Sequence, residues 1–244
     1  MTQDEIYQNI ESITIGIDDT FKFHCTQCGQ CCINRHDIKL SPMDVYKMTK
    51  QLQMNPSVFF VQYCRMEIGV NSRIPLMMLR PVGRDDRCPL LKNNKCSVHK
   101  VKPAVCGMFP LGRYVIADPE KYAKGEVVMS EVRYLLQPPE CGDDSETHTV
   151  RDWLGDFDIA LEDKAFVRWN QVMGEISAML RDLEKKWDIM TMMDVWFMTR
   201  IILYENYEHD MEFMPQFEFN VSGLKALLQD IPKLKEMVEH GRGA

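Results

Sequence analysis

The sequence predicts an α+β fold, with an irregular, cysteine-rich domain of short strands and helices over residues 1–157 and an α-helical C-terminal region, residues 158–244, packed on it. Three observations carry this expectation. Eight of the nine cysteines stand in polar, turn-rich sequence between Cys25 and Cys141. Residues 73–137 offer only short β-like runs separated by Pro, Gly and Asn turns. From Ile159 onward apolar residues recur at three- and four-residue steps, the period of a buried helix face.

Taken in order, Ile13 to Ile17 alternates and Phe21 and Phe23 lead into the first cysteine, which predicts a short strand. Ser41-Pro42-Met43-Asp44 reads as an N-cap, a proline at the first helical position and an acid in the first turn, so a helix runs to about Leu52. Asn55-Pro56 repeats that signal and starts a second helix, whose Val58, Phe59, Val61 and Tyr63 form a core face leading to Cys64. The β-like pieces are Ile74 to Leu79, the turn Lys92-Asn93-Asn94-Lys95, Leu111 to Ala117 and Val127 to Leu136. Pro138 to Thr147 reads as an acidic, solvated loop, and Thr149 with Asp152 as a capping box for the helix that contains Trp153. Phe166, Trp169, Met173, Ile176, Leu180, Leu183 and Trp187 share one face of a long helix. A further helix is expected from Thr191 to about Glu208, and a last pair from Ser222 to His240, interrupted near Asp230-Ile231-Pro232. Neither an internal repeat nor a low-complexity segment is present.

At 244 residues, 45% hydrophobic and 27% charged, the composition is that of a globular chain able to bury a full core. The opening MTQDEIYQNI carries acids where a secretory signal is basic and has no apolar central region, so a cytoplasmic protein is expected. Apolar runs fall short of a membrane span, the segment around Trp196, Phe197, Ile201 and Ile202 being broken by Asp194 and Arg200. The net charge of -7 hides an asymmetry: residues 73–113 hold nine Lys/Arg against two Asp/Glu, whereas residues 140–212 hold seven against eighteen. The positive charge travels with the cysteines. A nucleic-acid surface is the weaker explanation, because the total is acidic and the basic residues are not interleaved with aromatics.

Cys25-Thr-Gln-Cys28-Gly-Gln-Cys31-Cys32 has the form of metal-ligand turns, since each CxxC step lets a tight turn aim two sulfurs at one point and Gly29 can take a positive φ. Nine cysteines are an odd number, and cytosolic thiols are kept reduced, which favours metal over disulfides. The spacing is similar to the start of a bacterial ferredoxin run, but the fourth cysteine follows at once without a Cys-Pro. Adjacent residues in extended backbone point to opposite sides, so Cys31 and Cys32 are expected to face apart and serve two sites, or one site with a spare thiol. Four thiolates around Zn²⁺, or around a cluster core of the same charge, leave a net charge of about -2, which nearby cations offset.

Later motifs complete a pattern: Cys88-Pro89-Leu90-Leu91, Asn94-Lys95-Cys96-Ser97-Val98-His99, and Pro103-Ala104-Val105-Cys106-Gly107-Met108-Phe109-Pro110. With Cys141-Gly142 and Thr149 to Leu154, the chain resembles, over roughly Phe23 to Leu154, the YkgJ-like cysteine-cluster family. That family is described as zinc- or iron-chelating and includes flagellin lysine N-methylase. The resemblance implies a metal or iron-sulfur centre held by Cys25, Cys28, Cys31, Cys32, Cys88, Cys96, Cys106 and Cys141. It departs from the family where His99 replaces an aromatic and where Lys102 and Gly107 replace arginines. Arg113, Lys100 and Lys102 are the candidates to supply the missing cations.

Other features have plainer readings. Cys64 follows an apolar helix face and is expected in the core. His99, three residues after Cys96, is a candidate ligand, although a lone histidine is more often a surface or hydrogen-bonded residue. The eighteen methionines, Met190, Met192, Met193 and Met198 among them, read as adaptable core rather than as a copper site. GxGxxG, P-loop, GxSxG and HExxH motifs are all missing, so no reaction follows from motif alone. Three functions are carried forward. The first is a metal-binding protein chelating an iron-sulfur cluster, [4Fe–4S] included, or Zn²⁺, in one or two centres, with electrons or metal passing to a protein partner. The second is a protein-lysine N-methyltransferase-like enzyme using S-adenosylmethionine on a protein substrate. The third is a thiol redox sensor.

Overall fold

The computed structural model describes residues 12–241, with side chains through Ile231, so the opening segment behind the cytoplasmic expectation lies outside the described residues. In chain order the elements are β1 (Thr14–Ile15), β2 (Thr20–His24), β3 (Lys39–Leu40), α1 (Pro42–Leu52), α2 (Pro56–Tyr63), β4 (Cys64–Ile68) and β5 (Pro75–Leu79). Then come β6 (Leu91–Lys92), β7 (Lys95–Cys96), α3 (Ala104–Met108), β8 (Leu111–Val115), α4 (Pro119–Ala123), β9 (Val132–Leu136) and β10 (Asp143–Thr149). The chain ends in helices α5 (Val150–Asp156), α6 (Lys164–Glu184), α7 (Ile189–Tyr204) and α8 (Phe213–Gly241). The strands pair in four small antiparallel sheets, ordered β1-β9-β8, β10-β2, β3-β5-β4 and β6-β7. This is the α+β architecture with a helical C-terminal region.

Local chemistry explains the helix starts. The Ser41 hydroxyl accepts from the Asp44 N–H, and the Asp44 carboxylate accepts in return from the Ser41 N–H at 2.8 Å, a reciprocal cap ahead of Pro42. Asn55 caps α2 through Ser57 N–H. The Thr149 hydroxyl accepts from Asp152 N–H and donates to the Asp152 carboxylate at 2.7 Å.

Two hydrophobic cores form. In the larger, Val45, Met48, Phe59, Ile74 and Met77 of the N-terminal half meet Ile176, Leu180, Leu203, Phe217 and Leu224 of α6, α7 and α8. Helices and small sheet thus share one interior. The smaller gathers Phe21, Phe23, Met108, Leu111, Tyr134, Val150, Trp153 and Leu154, with the Trp153 indole N–H donating to Met108 O at 3.0 Å. Phe21 and Phe23 each meet Trp153 edge-on, at centroid distances of 5.9 and 5.6 Å. Cys88, Cys96 and Cys106 pack against the larger core and Cys25 against the smaller, which puts the thiols at the seam between the two.

Several expectations are corrected. The acidic segment 143–149 is a strand, because β2 supplies an antiparallel partner, His148 lying opposite Phe21 and Thr149 opposite Thr20. Of the expected α2 face, Phe59 is buried, but Val58 and Val61 are 44% and 68% exposed; the two valines, three residues apart, share a different face from Phe59 and Tyr63, and the helix turns the aromatic face inward. Helix α6 ends at Glu184, so Trp187 packs on the core from beyond it. The C-terminal pair is one continuous helix through Pro232, whose missing N–H costs a single intrahelical bond. Cys64 is buried, as expected.

Candidate metal centre

The first cysteine loop leaves β2 at His24. Gln27 and Gly29 take positive φ values of 55° and 78°, and a 3₁₀ turn over Gln30–Cys32 closes with Cys32 N–H donating to Gly29 O at 3.0 Å. This turn overturns the expectation that Cys31 and Cys32 face apart. Successive residues in a 3₁₀ turn are about 120° apart rather than 180°, and the two sulfurs come within 4.0 Å of each other.

The remaining thiols arrive from separate segments. Cys88 N–H donates to Cys32 O at 2.8 Å, which ties the second loop to the first. Cys96 sits in the β6-β7 hairpin opposite Leu91, and its tight turn is made possible by Asn93 and Asn94 at φ 51° and 58°, as a type I′ turn requires. Cys106 lies in α3, whose first amide, Ala104 N–H, donates to the Asp44 carboxylate at 2.8 Å. The cap of α1 therefore also holds the Cys106 segment. Cys141 precedes Gly142, which has φ 77° and whose missing side chain would otherwise meet His24 O at 2.5 Å. That close approach sets Cys141 beside the first loop.

Cys25, Cys31, Cys32, Cys88, Cys96 and Cys106 wall a cavity of about 70 Å³, together with Arg35, His99 and Lys102. Cys28 and Cys141 lie outside it and hydrogen-bond to each other. The thiols interact strongly. The Cys32 thiol, although held down by its bond to Cys31, is pushed up to about 11 by its bond to Cys88, by burial and by the charges of Cys88 and Cys96. Burial, then the charges of Cys31, Cys28 and Cys25, push Cys141 up to about 11. Cys31 is raised by its bond to Cys32 and by burial, Cys106 by burial above all, and Cys96 likewise. Cys88 is lowered by the bond from Cys32, and Cys28 by the Gln30 backbone N–H.

The cations opposing this charge are Arg35, which acts on Cys31 and Cys106, and Lys102, which acts on Cys31 and Cys96. Arg35 also donates to Cys31 O and is held by Asp37 at 2.7 Å. Of the three cations expected near the thiols, Lys102 is there. Arg113 is not: it pairs with Asp163 at 2.9 Å and stacks on Phe166, 3.7 Å from the ring centroid. Lys100 lies outside the cavity wall. Sequence reasoning missed Arg35, whose signal was its place three residues after Cys32. His99 lines the cavity, with its pKa lowered by burial and by Lys102.

Among the described residues no group of three or more His, Cys, Asp or Glu side chains is gathered tightly enough to hold a metal ion as it stands. The donor set nonetheless suits metal. Thiols that oppose one another's ionisation in a half-buried space are those a cation stabilises as thiolates, and metal binding to such loops draws them together.

Residues 24–141 match the family model described as "CxxCxxCC: Putative zinc- or iron-chelating domain". No curated protein and no solved structure matches the chain.

Proposed function

We propose, from the match of residues 24–141 to the model of a zinc- or iron-chelating CxxCxxCC domain, that the chain carries an iron-sulfur centre held by its thiolates. The observation that supports this reading best is the cavity of about 70 Å³ walled by six thiols and two cations. A single tetrahedral Zn²⁺ with Zn–S bonds of about 2.3 Å holds its sulfurs about 3.8 Å apart and leaves no such space between them. A polynuclear iron-sulfur core fills a space of this kind, with Cys thiolates on its irons. Zinc is the second reading, favoured by the 4.0 Å separation of Cys31 and Cys32.

The mutual influences of the thiols support two groups that meet in the cavity wall. Cys32, Cys88, Cys96 and Cys106 act on one another, and Cys25, Cys28 and Cys31 act on Cys141. Cys31 joins the two, since it touches Cys32 and also acts on Cys96. Arg35 and Lys102 offset the negative charge of the assembly, and the larger core keeps the first group partly from water. An iron-sulfur group so placed supplies one-electron chemistry.

Paired substitutions test this. Cys88→Ser with Cys106→Ser is expected to remove the metal of the first group and spare part of the total, and Cys28→Ser with Cys141→Ser to do the converse. If either pair empties the protein of all metal, the thiols form one centre. If neither pair lowers metal content, these cysteines are not its ligands.

A further inference from the structure

A second and far larger cavity, of about 1500 Å³, opens beside the thiol space, and Lys102 lines both. Its apolar wall includes Phe166, Trp169 and Met173 of α6 and Phe217 of α8. Around it stand Lys39, Lys47, Lys50, Lys100 and Lys102. The lysines in contact ion pairs among the described residues are Lys185 and Lys225; of these five, Lys47 and Lys39 act at longer range on Asp44 and Asp37, and none is in a contact ion pair. Three of the carboxylates lining the cleft are engaged: Asp44 by the Ser41 and Ala104 amides, Glu67 by Arg65, and Asp163 by Arg113. Asp158 is the fourth. On a chain of net charge -7 this is a local concentration of positive charge.

Three features decide the kind of occupant. Pockets for single small ligands run from about 300 to 1,000 Å³, and this cleft exceeds them. Its lysines come from β3, α1 and the segment before α3 rather than converging on one point, which suits several carboxylates along a chain better than one phosphate. Finally, Gly112 to Val115 line the cleft, and β8 is the edge strand of its sheet. Ile116 N–H donates to Glu131 O at 2.8 Å, so in the alternating antiparallel ladder the amides of Arg113 and Val115 point away from β9. An edge of this kind is a template for another strand.

We propose that this cleft receives an acidic polypeptide segment of a partner protein, laid beside β8 as an added strand, with apolar anchors against Trp169 and its neighbours and carboxylates on the lysines. The segment passes Lys102 and so reaches the wall of the thiol cavity. The inference rests on the cleft alone and stands whichever metal the thiols hold.

The test uses the full chain as isolated, with its metal content recorded. Fluorescence anisotropy measures binding of a labelled twelve-residue peptide that alternates Glu with Leu and Phe, and of its counterpart with Lys for Glu. The acidic peptide is expected to bind at least about tenfold more tightly, to weaken as salt is raised, and to lose about tenfold in affinity to Lys47→Glu/Lys50→Glu. Lys121→Glu, outside the cleft, is expected to change nothing. Lys100→Glu serves if the double variant fails to fold by circular dichroism. N-methylation of alternate peptide residues is expected to abolish binding in one register. Equal binding of both peptides, or indifference to the lysine reversals, overturns the proposal, and so does one-to-one binding of a nucleotide with no binding of either peptide.

Discussion

Replacing Asp44 with alanine removes the acceptor for three hydrogen bonds at once: from Ser41 N–H, from the Ser41 hydroxyl and from Ala104 N–H, each at 2.8 Å. The first two cap α1, and the third anchors the helix that carries Cys106. Hydrogen bonds to a charged group are worth about 1.5–3 kcal/mol each, and the buried carboxylate's own desolvation offsets part of the sum. A loss of about 3–5 kcal/mol is expected for Asp44→Ala, and about 1–3 for Asp44→Asn, which keeps one acceptor. Urea unfolding of the metal-loaded protein measures it, with metal content followed in parallel, because a loosened Cys106 segment should release metal more readily. Burial raises the Asp44 carboxyl above its ordinary range, although the Ser41 and Ala104 amides oppose the shift. The folded state therefore holds this proton more tightly than the unfolded state. The Asp44 contribution to stability then rises as pH falls from above the folded pKa toward the unfolded value of about 3.9. Wild type should gain over Asp44→Asn across that window. A cost below about 1 kcal/mol for Asp44→Ala, with metal content unchanged, would refute the reasoning.

Other outcomes follow from the same structure. Arg200 and Glu205 form a buried ion pair between α7 and the turn after it, with the guanidinium 3.9 Å from the Phe60 ring centroid. Arg200→Met leaves the buried Glu205 charge with only the Ser57 hydroxyl as a partner and should cost about 3–5 kcal/mol, part of it recovered by adding Glu205→Gln, as thermal melts of the four combinations would show. A side chain at Gly174 would collide with the Tyr122 carbonyl oxygen, so Gly174→Ala should push α4 off α6 and cost about 1–3 kcal/mol or more in urea unfolding. Arg35→Ala should speed loss of metal to a chelator by about tenfold while leaving the unfolding midpoint of α6–α8 in place, since Arg35 acts on the thiols and not on the larger core. Metal removal should expose the amides of residues 25–35 and 84–109 to hydrogen exchange while the amides of α6 stay protected.

Features legible in the sequence were those fixed by neighbours in the chain. Ser41, Pro42 and Asp44 announce α1 because capping is local, and Gly29 takes its positive φ because the turn through Cys28 and Cys31 demands it. Features that depend on distant partners were not legible. The acidic run of β10 looks like loop until β2 lies beside it. Cys31 and Cys32 were expected to face apart on the premise of extended backbone, which the 3₁₀ turn replaces. Arg113 lay close in sequence to Cys106, but its guanidinium goes to Asp163 and Phe166, fifty residues on, and Arg35 takes the place beside the thiols. The lysines of the large cleft come from three separate segments, and no local pattern joins them.

The central claim, a thiolate-held iron-sulfur centre at the seam of the two cores, is tested most directly by counting iron, zinc and acid-labile sulfide per chain after anaerobic purification, with the visible spectrum recorded alongside. The account predicts a brown protein holding iron and sulfide together, with both reduced in the Cys88→Ser/Cys106→Ser variant. Stoichiometric zinc in a colourless protein without sulfide would contradict the iron-sulfur assignment, and a folded chain with neither metal would contradict the thiolate centre itself.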